Sequence, residues 1–203
     1  MFESLNEEAC WRDIYNEWSG SNEGKAEVYD YTFQLNQAFV DVIRALGGNN
    51  PIRHLLLAGY CTDAALTCDH MYEIPNDPAK RYDISIHYYT PATFYLITED
   101  ADWGKAQSTW GTKEEVKELN NNFDKVKRTF IDKGIPVIIG EYGAATKNKD
   151  YNSVKNFVYS VCKACYDRKI LPVLWDTTGE FYDRSASAMK DSALKEMLNS
   201  VKN

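Results

Sequence analysis

The sequence predicts an α/β fold of five βα units with parallel strands, and two observations predict it. Short apolar runs dense in β-branched and aliphatic residues alternate with longer stretches whose apolar residues recur at helical spacing. Two acidic motifs, Leu5-Asn6-Glu7 and Ile139-Gly140-Glu141-Tyr142-Gly143, each follow such an apolar run, which is where parallel βα folds place chemistry.

The strands are expected over residues 1–5, 53–59, 82–88, 136–141 and 170–175, all rich in the residue types that suit a pleated, buried surface. Between the first two, residues 31–46 carry Phe33, Phe39, Val42, Ile43 and Leu46 at helical spacing. Gly47-Gly48 follows, where glycine adopts the left-handed cap at no steric cost. Thr112-Lys113-Glu114-Glu115 reads as a capping box that opens a helix through Val116, Leu119, Phe123, Val126 and Phe130, with Gly134 and Pro136 ending it. Residues 152–168 and 189–201 supply two more helices, and 91–110 reads as a long aromatic-bearing loop. The first strand begins at once, with no preceding element. Eight strands close a βα barrel, so five leave an open sheet with two edges that recruit partners, which predicts a homo-oligomer.

At 203 residues the chain is expected to be a single domain over 1–203. Hydrophobic residues at 44% and charged residues at 26% exclude a disordered chain. A net charge of -7 without a basic run argues against nucleic acid, whose phosphates demand a cationic face. No apolar stretch of about 18 residues argues for a membrane, and the N-terminus lacks the layout of a signal peptide. Five cysteines form an odd set, so Cys10, Cys61, Cys68, Cys162 and Cys165 cannot all pair internally; Cys61 with Cys68 is the one pairing considered. Cys162 and Cys165 have CxxC spacing, but they lie on a helical stripe with Val154, Phe157, Val158 and Val161, which favours packing over zinc or redox chemistry.

Hydrolysis of a glycosidic bond with retention needs two carboxyls about 5 to 5.5 Å apart, one to attack the anomeric carbon and one to protonate the leaving oxygen. Glu7 and Glu141 are the candidate pair. Taken singly, Glu7 is explained as a solvated loop carboxylate and Tyr89 or Trp175 as an ordinary packing aromatic. For Glu141 the bland reading is a capping acid, but its place after residues 136–140 favours the catalytic one. His54 and His70 lack a ligand-like set and read as structural or solvent-facing.

Phe2-Glu3-Ser4-Leu5-Asn6-Glu7 resembles the fourth-strand motif of glycoside hydrolase family 5, and Pro136-Val137-Ile138-Ile139-Gly140-Glu141-Tyr142-Gly143 resembles its seventh. Ser85-Ile86-His87-Tyr88-Tyr89-Thr90-Pro91 is similar to the sixth-strand segment, and Leu174-Trp175-Asp176 to the eighth-strand aromatic motif. Leu35-Asn36-Gln37-Ala38-Phe39-Val40 and Gly47-Gly48-Asn49-Asn50-Pro51-Ile52-Arg53 resemble the endoglucanase and xyloglucanase branch.

The resemblance implies a partial TIM (β/α)8 barrel whose first three units are missing, and a β-1,4-glucan substrate: cellulose, xyloglucan or mixed-linkage glucan. It implies Glu7 as acid/base, needing burial to stay protonated, and Glu141 as nucleophile. It further implies Tyr89 hydrogen-bonded to Glu141, Asn6 on the sugar 2-hydroxyl, His87 in the surrounding network and Trp175 under a pyranose ring, with Trp103 and Trp110 extending the groove. No metal or organic cofactor is implied, and secretion is. Glu8 stands where the family pattern has proline, and the family's second-strand arginine beside the nucleophile has no counterpart, which should weaken attack. The alternative is a non-catalytic fragment that binds glucan or self-associates. An esterase reading finds no nucleophile elbow or Ser-His-Asp set.

Overall fold

In the computed structural model, which describes residues 1–8, 11–176 and 179–202, all five expected strands are present. The order is β1 (Phe2–Glu3), α1 (Lys25–Ala45), β2 (Leu55–Asp63), α2 (Ala64–Thr67), β3 (Tyr82–Tyr88), α3 (Ala92–Tyr95), α4 (Lys113–Thr129), β4 (Val137–Tyr142), α5 (Tyr151–Asp167) and β5 (Leu171–Leu174). A hairpin of β6 (Tyr182–Asp183) and β7 (Ala188–Met189) precedes α6 (Ser192–Ser200). The five strands run parallel in the spatial order β1-β2-β3-β4-β5, as successive helical crossovers dictate. Among the described residues no helix is long and apolar enough to cross a membrane.

The chain divides into two compact units, Met1–Ile86 with Arg128–Ile138, and His87–Lys127 with Ile139–Asn203, so β3 and β4 contribute residues to both. In the first unit β1 pairs with β2, Phe2 opposite Leu55 and Glu3 opposite Leu56. Leu55, Leu57 and Ala58 of β2 are fully buried, as a central parallel strand requires. Gly59 is needed there, because a Cβ at that position would sit 2.1 Å from Thr67 Oγ1.

Helix α1 differs from expectation. It starts at Lys25, and its buried face is Val28, Tyr29, Thr32, Asn36, Val40 and Ile43, whereas Val42 is 60% exposed and Leu46 lies beyond the helix, also exposed. A polar residue sets the rotation. Asn36 Nδ2 donates to the Ala58 carbonyl at 2.9 Å, and its Oδ1 accepts from Ser4 Oγ at 2.6 Å. A buried amide satisfied on both ends outweighs the apolar count, since an unpaired one is costly to bury. Arg44 near the end of α1 grips Asp77 with two N–H donors, at 2.7 and 2.8 Å.

No disulfide joins Cys61 and Cys68; both are thiols, and the Cys61 thiol donates to Glu17 Oε1 at 3.4 Å. Cys10 lies outside the described residues.

In the second unit the capping box forms as expected: Glu115 N–H donates to Thr112 Oγ1 at 3.2 Å, and Thr112 N–H to Glu115 Oε2 at 2.9 Å. Leu119, Phe123 and Val126 are its buried stripe. Helix α5 buries Val154, Phe157, Val158, Val161 and Cys165, and burial raises the thiols of Cys162 and Cys165 above their ordinary range. Cys165 is a core residue and Cys162 is part-buried at its edge. Strand β7 takes Met189, the first position assigned to the last helix, which starts instead at Ser192 behind an Asp191 cap.

Candidate active site

Glu141 stands near the end of β4, half-buried, and every expected partner of it in the second unit is in place. Tyr89, just past β3, donates its phenol to Glu141 Oε2 at 2.8 Å. His87, the buried penultimate residue of β3, brings Nδ1 to 3.6 Å from the same oxygen. Successive strand residues face opposite sides, so His87 and Tyr89 share a face while Tyr88 turns away to pack on Phe123. Burial, and then the bond to Glu141, push the Tyr89 phenol well above its ordinary value, so it remains a donor at neutral pH.

The next layer was not legible in the motifs. Tyr95 at the end of α3 stacks on Tyr89 with centroids 3.7 Å apart and planes at 14°. Its carbonyl accepts from Ala145 N–H at 3.0 Å, which ties the loop to the chain leaving β4. The signal for this short helix was local: Pro91 just before it, then Phe94 as a buried anchor.

Beside this constellation lies a cavity of about 190 Å3 lined by Tyr95, Leu96, Gly143, Trp175, Asp176 and Phe181. Trp175 N–H donates to the Tyr142 carbonyl at 2.8 Å, holding the end of β5 to the end of β4. Gly143 permits that approach, because a Cβ there would meet the Trp175 carbonyl oxygen at 3.1 Å. Trp175 is 46% exposed as a residue and so is reachable from solvent. Asp176 accepts from the backbone N–H groups of Glu180, Phe181 and Tyr182. Burial works against its charge, but these donors outweigh it and hold Asp176 below the usual carboxylate range.

The two loop tryptophans part company. Trp103 is 58% exposed beside the Ala101–Gly104 bridge. Trp110 is corrected: it is 6% exposed, packed edge-on against Phe157 with centroids 5.2 Å apart, and so belongs to the core and not to a groove. A loop that long needs a buried anchor, and the indole supplies it.

The other candidate residues belong to the first unit. Asn6 and Glu7 follow β1 and are both exposed, and Glu7 takes a left-handed backbone with φ of 50°. Glu7, expected to be buried, is thus exposed. Glu8 is a structural acceptor, taking Cys61 N–H at 3.2 Å, so this departure from the motif has a local use.

Residues 5–180 match the family model described as Cellulase (glycosyl hydrolase family 5). The chain is 34% identical over 178 residues to Endoglucanase B of Clostridium cellulovorans, which covers 87% of this chain and 38% of that protein. Among solved structures it is similar to a broad-specificity endoglucanase from an uncultured bovine rumen ciliate, with a TM-score of 0.82 and 32% identity, over 98% of this chain and 58% of that one. A lichenase from a Caldicellulosiruptor species gives a TM-score of 0.83 at 28% identity, over 100% and 57%. The chain thus spans about four tenths of the length of that curated relative, and its five βα units are part of a (β/α)8 barrel. With the family model covering most of its length and the relatives agreeing, the chain belongs to glycosyl hydrolase family 5.

Proposed function

We propose that the chain serves a retaining hydrolase of β-1,4-glucan, with Glu141 as nucleophile and Glu7 as acid/base. The observation that carries the reading is the 2.8 Å bond from Tyr89 to Glu141 Oε2, beside a cavity walled by an exposed tryptophan. A donor aimed at one carboxylate oxygen orients the other for attack. The relatives' names, endoglucanase and lichenase, favour glucan over other polymers.

In the first step a Glu141 oxygen bonds to the anomeric carbon as the glycosidic bond breaks, and the departing oxygen takes the bond's electron pair and a proton from Glu7. In the second, water attacks the same carbon, gives its proton to the Glu7 carboxylate and releases Glu141. Inversion twice gives retention. Trp175 supports a pyranose ring by stacking, Trp103 offers a second platform, Asn6 holds the 2-hydroxyl and His87 steadies the Glu141 network.

The substrate is an extracellular polymer, so we place the work outside the cell. Leu171 and Val173 of the edge strand β5 are exposed apolar residues, which favours self-association along that edge. The test is reducing-sugar release from carboxymethyl cellulose, measured across a sedimentation profile for wild type and Glu141→Ala. Release in a discrete species that vanishes in the variant supports the reading; release that survives Glu141→Ala sinks it.

A further inference from the structure

The segment that follows β4 does more than lead into α5: it clasps the loop between β3 and α4 along its length. Ala145 N–H donates to the Tyr95 carbonyl at 3.0 Å, Asp150 N–H to the Ser108 carbonyl at 2.7 Å, and Asn148 Nδ2 to the Thr98 carbonyl at 3.1 Å. At the centre is Lys149. Its Nζ donates to the carbonyls of Thr93, Ile97 and Gln107, at 3.3, 2.6 and 2.6 Å, and lies 5.4 Å from the centroid of the Phe94 ring.

An ammonium has three donors and no acceptor, and three carbonyls take all three. Two of those carbonyls, of Thr93 and Ile97, flank Tyr95, whose ring stacks on Tyr89, whose phenol holds Glu141. These contacts form one continuous path inside the second unit.

We propose that Lys149 is a positioning residue for Glu141, fixing the Tyr95 ring against Tyr89 through the carbonyls on either side of it. This rests on Glu141 being the nucleophile. The physical argument is one of donors. Tyr95 ends a single helical turn, and the Thr93 carbonyl accepts also from Gln107 N–H at 2.9 Å. The part-buried carbonyls of Ile97 and Gln107 take from Lys149 a donor that an apolar replacement removes. The loop must then reopen toward water, and the stacked ring goes with it. Burial holds the Lys149 ammonium below its ordinary pKa, in keeping with a cation set into the protein as a fastener.

The experiment is carbon-13 NMR of the full chain labelled at tyrosine Cζ, with the Tyr89 resonance assigned by its loss in Tyr89→Phe. Lys149→Met is compared with wild type and with Arg168→Met, a control that removes part-buried donors elsewhere in the second unit, those to Asp124 and Asn120. The expected result is that Lys149→Met moves the Tyr89 resonance, while Arg168→Met leaves it at its wild-type value. A Tyr89 resonance unchanged in Lys149→Met overturns the proposal, as does an equal change in Arg168→Met. Where Lys149→Met yields no folded chain, Lys149→Gln, which keeps two donors, is expected to give a smaller shift of the same sign; no shift overturns the proposal. In a parallel arm, covalent trapping at Glu141 by a fluorinated, activated cellobioside is expected to slow by roughly ten- to a hundredfold in Lys149→Met, with inhibitor affinity nearly unchanged. If wild type itself is not trapped, the nucleophile reading fails, and the Tyr89 resonance still decides the role of Lys149.

Discussion

The phenol of Tyr89 donates to Oε2 of Glu141 at 2.8 Å, and this bond occupies one lone pair of the carboxylate. Tyr89→Phe keeps the ring and its stack on Tyr95 while deleting the donor. A hydrogen bond to a charged group is worth about 1.5 to 3 kcal/mol, so kcat should fall on the order of 10- to 100-fold with KM little changed. Steady-state kinetics on an aryl cellobioside check it; a rise in KM at constant kcat would mean that Tyr89 binds sugar instead.

Glu7 is assigned the proton that the leaving oxygen needs, and that assignment has a signature. Glu7→Gln should slow hydrolysis of glucan by about 100-fold or more while sparing aryl glycosides whose phenolate leaves unaided. Equal loss on both substrates would remove Glu7 from the acid role. Because Glu7 is exposed, this series is the most informative one for the first unit.

Asp77 gives a stability prediction independent of catalysis. Its carboxylate accepts two donors from Arg44 and the backbone N–H groups of Ala79 and Arg81, and the Arg44 bonds first, despite burial, lower its pKa from 3.8 to about 2. A carboxylate depressed on folding contributes stability that is full above the unfolded value and lost as pH falls through the folded one. Asp77→Asn should therefore be less stable than wild type by about 2 kcal/mol above pH 5, with the gap narrowing from about pH 4 and closing near pH 2. Urea unfolding of both chains across that range measures it. A gap independent of pH would assign the loss to packing.

Much of this site was legible because strand periodicity and motif order are local. His87 and Tyr89 two residues apart must share a face, and Glu141 after an apolar run must fall near a strand end. What escaped was tertiary. Nothing in the helical stripe of α1 announced that Asn36 would be satisfied by Ala58 and Ser4 and so turn Val42 outward. Trp110 and Trp103 look alike on one loop, and only the Phe157 ring tells them apart. Tyr95 and Lys149 act through contacts from other segments, stacking in one case and backbone carbonyls in the other, and neither leaves a pattern in sequence.

The most direct measurement is mass spectrometry of peptides from the chain after incubation with a fluorinated, activated cellobioside, which slows release of a glycosyl-enzyme. The account predicts a single glycosyl adduct on Glu141, absent in Glu141→Gln. No adduct, or one on any other carboxylate, would contradict Glu141 as the nucleophile.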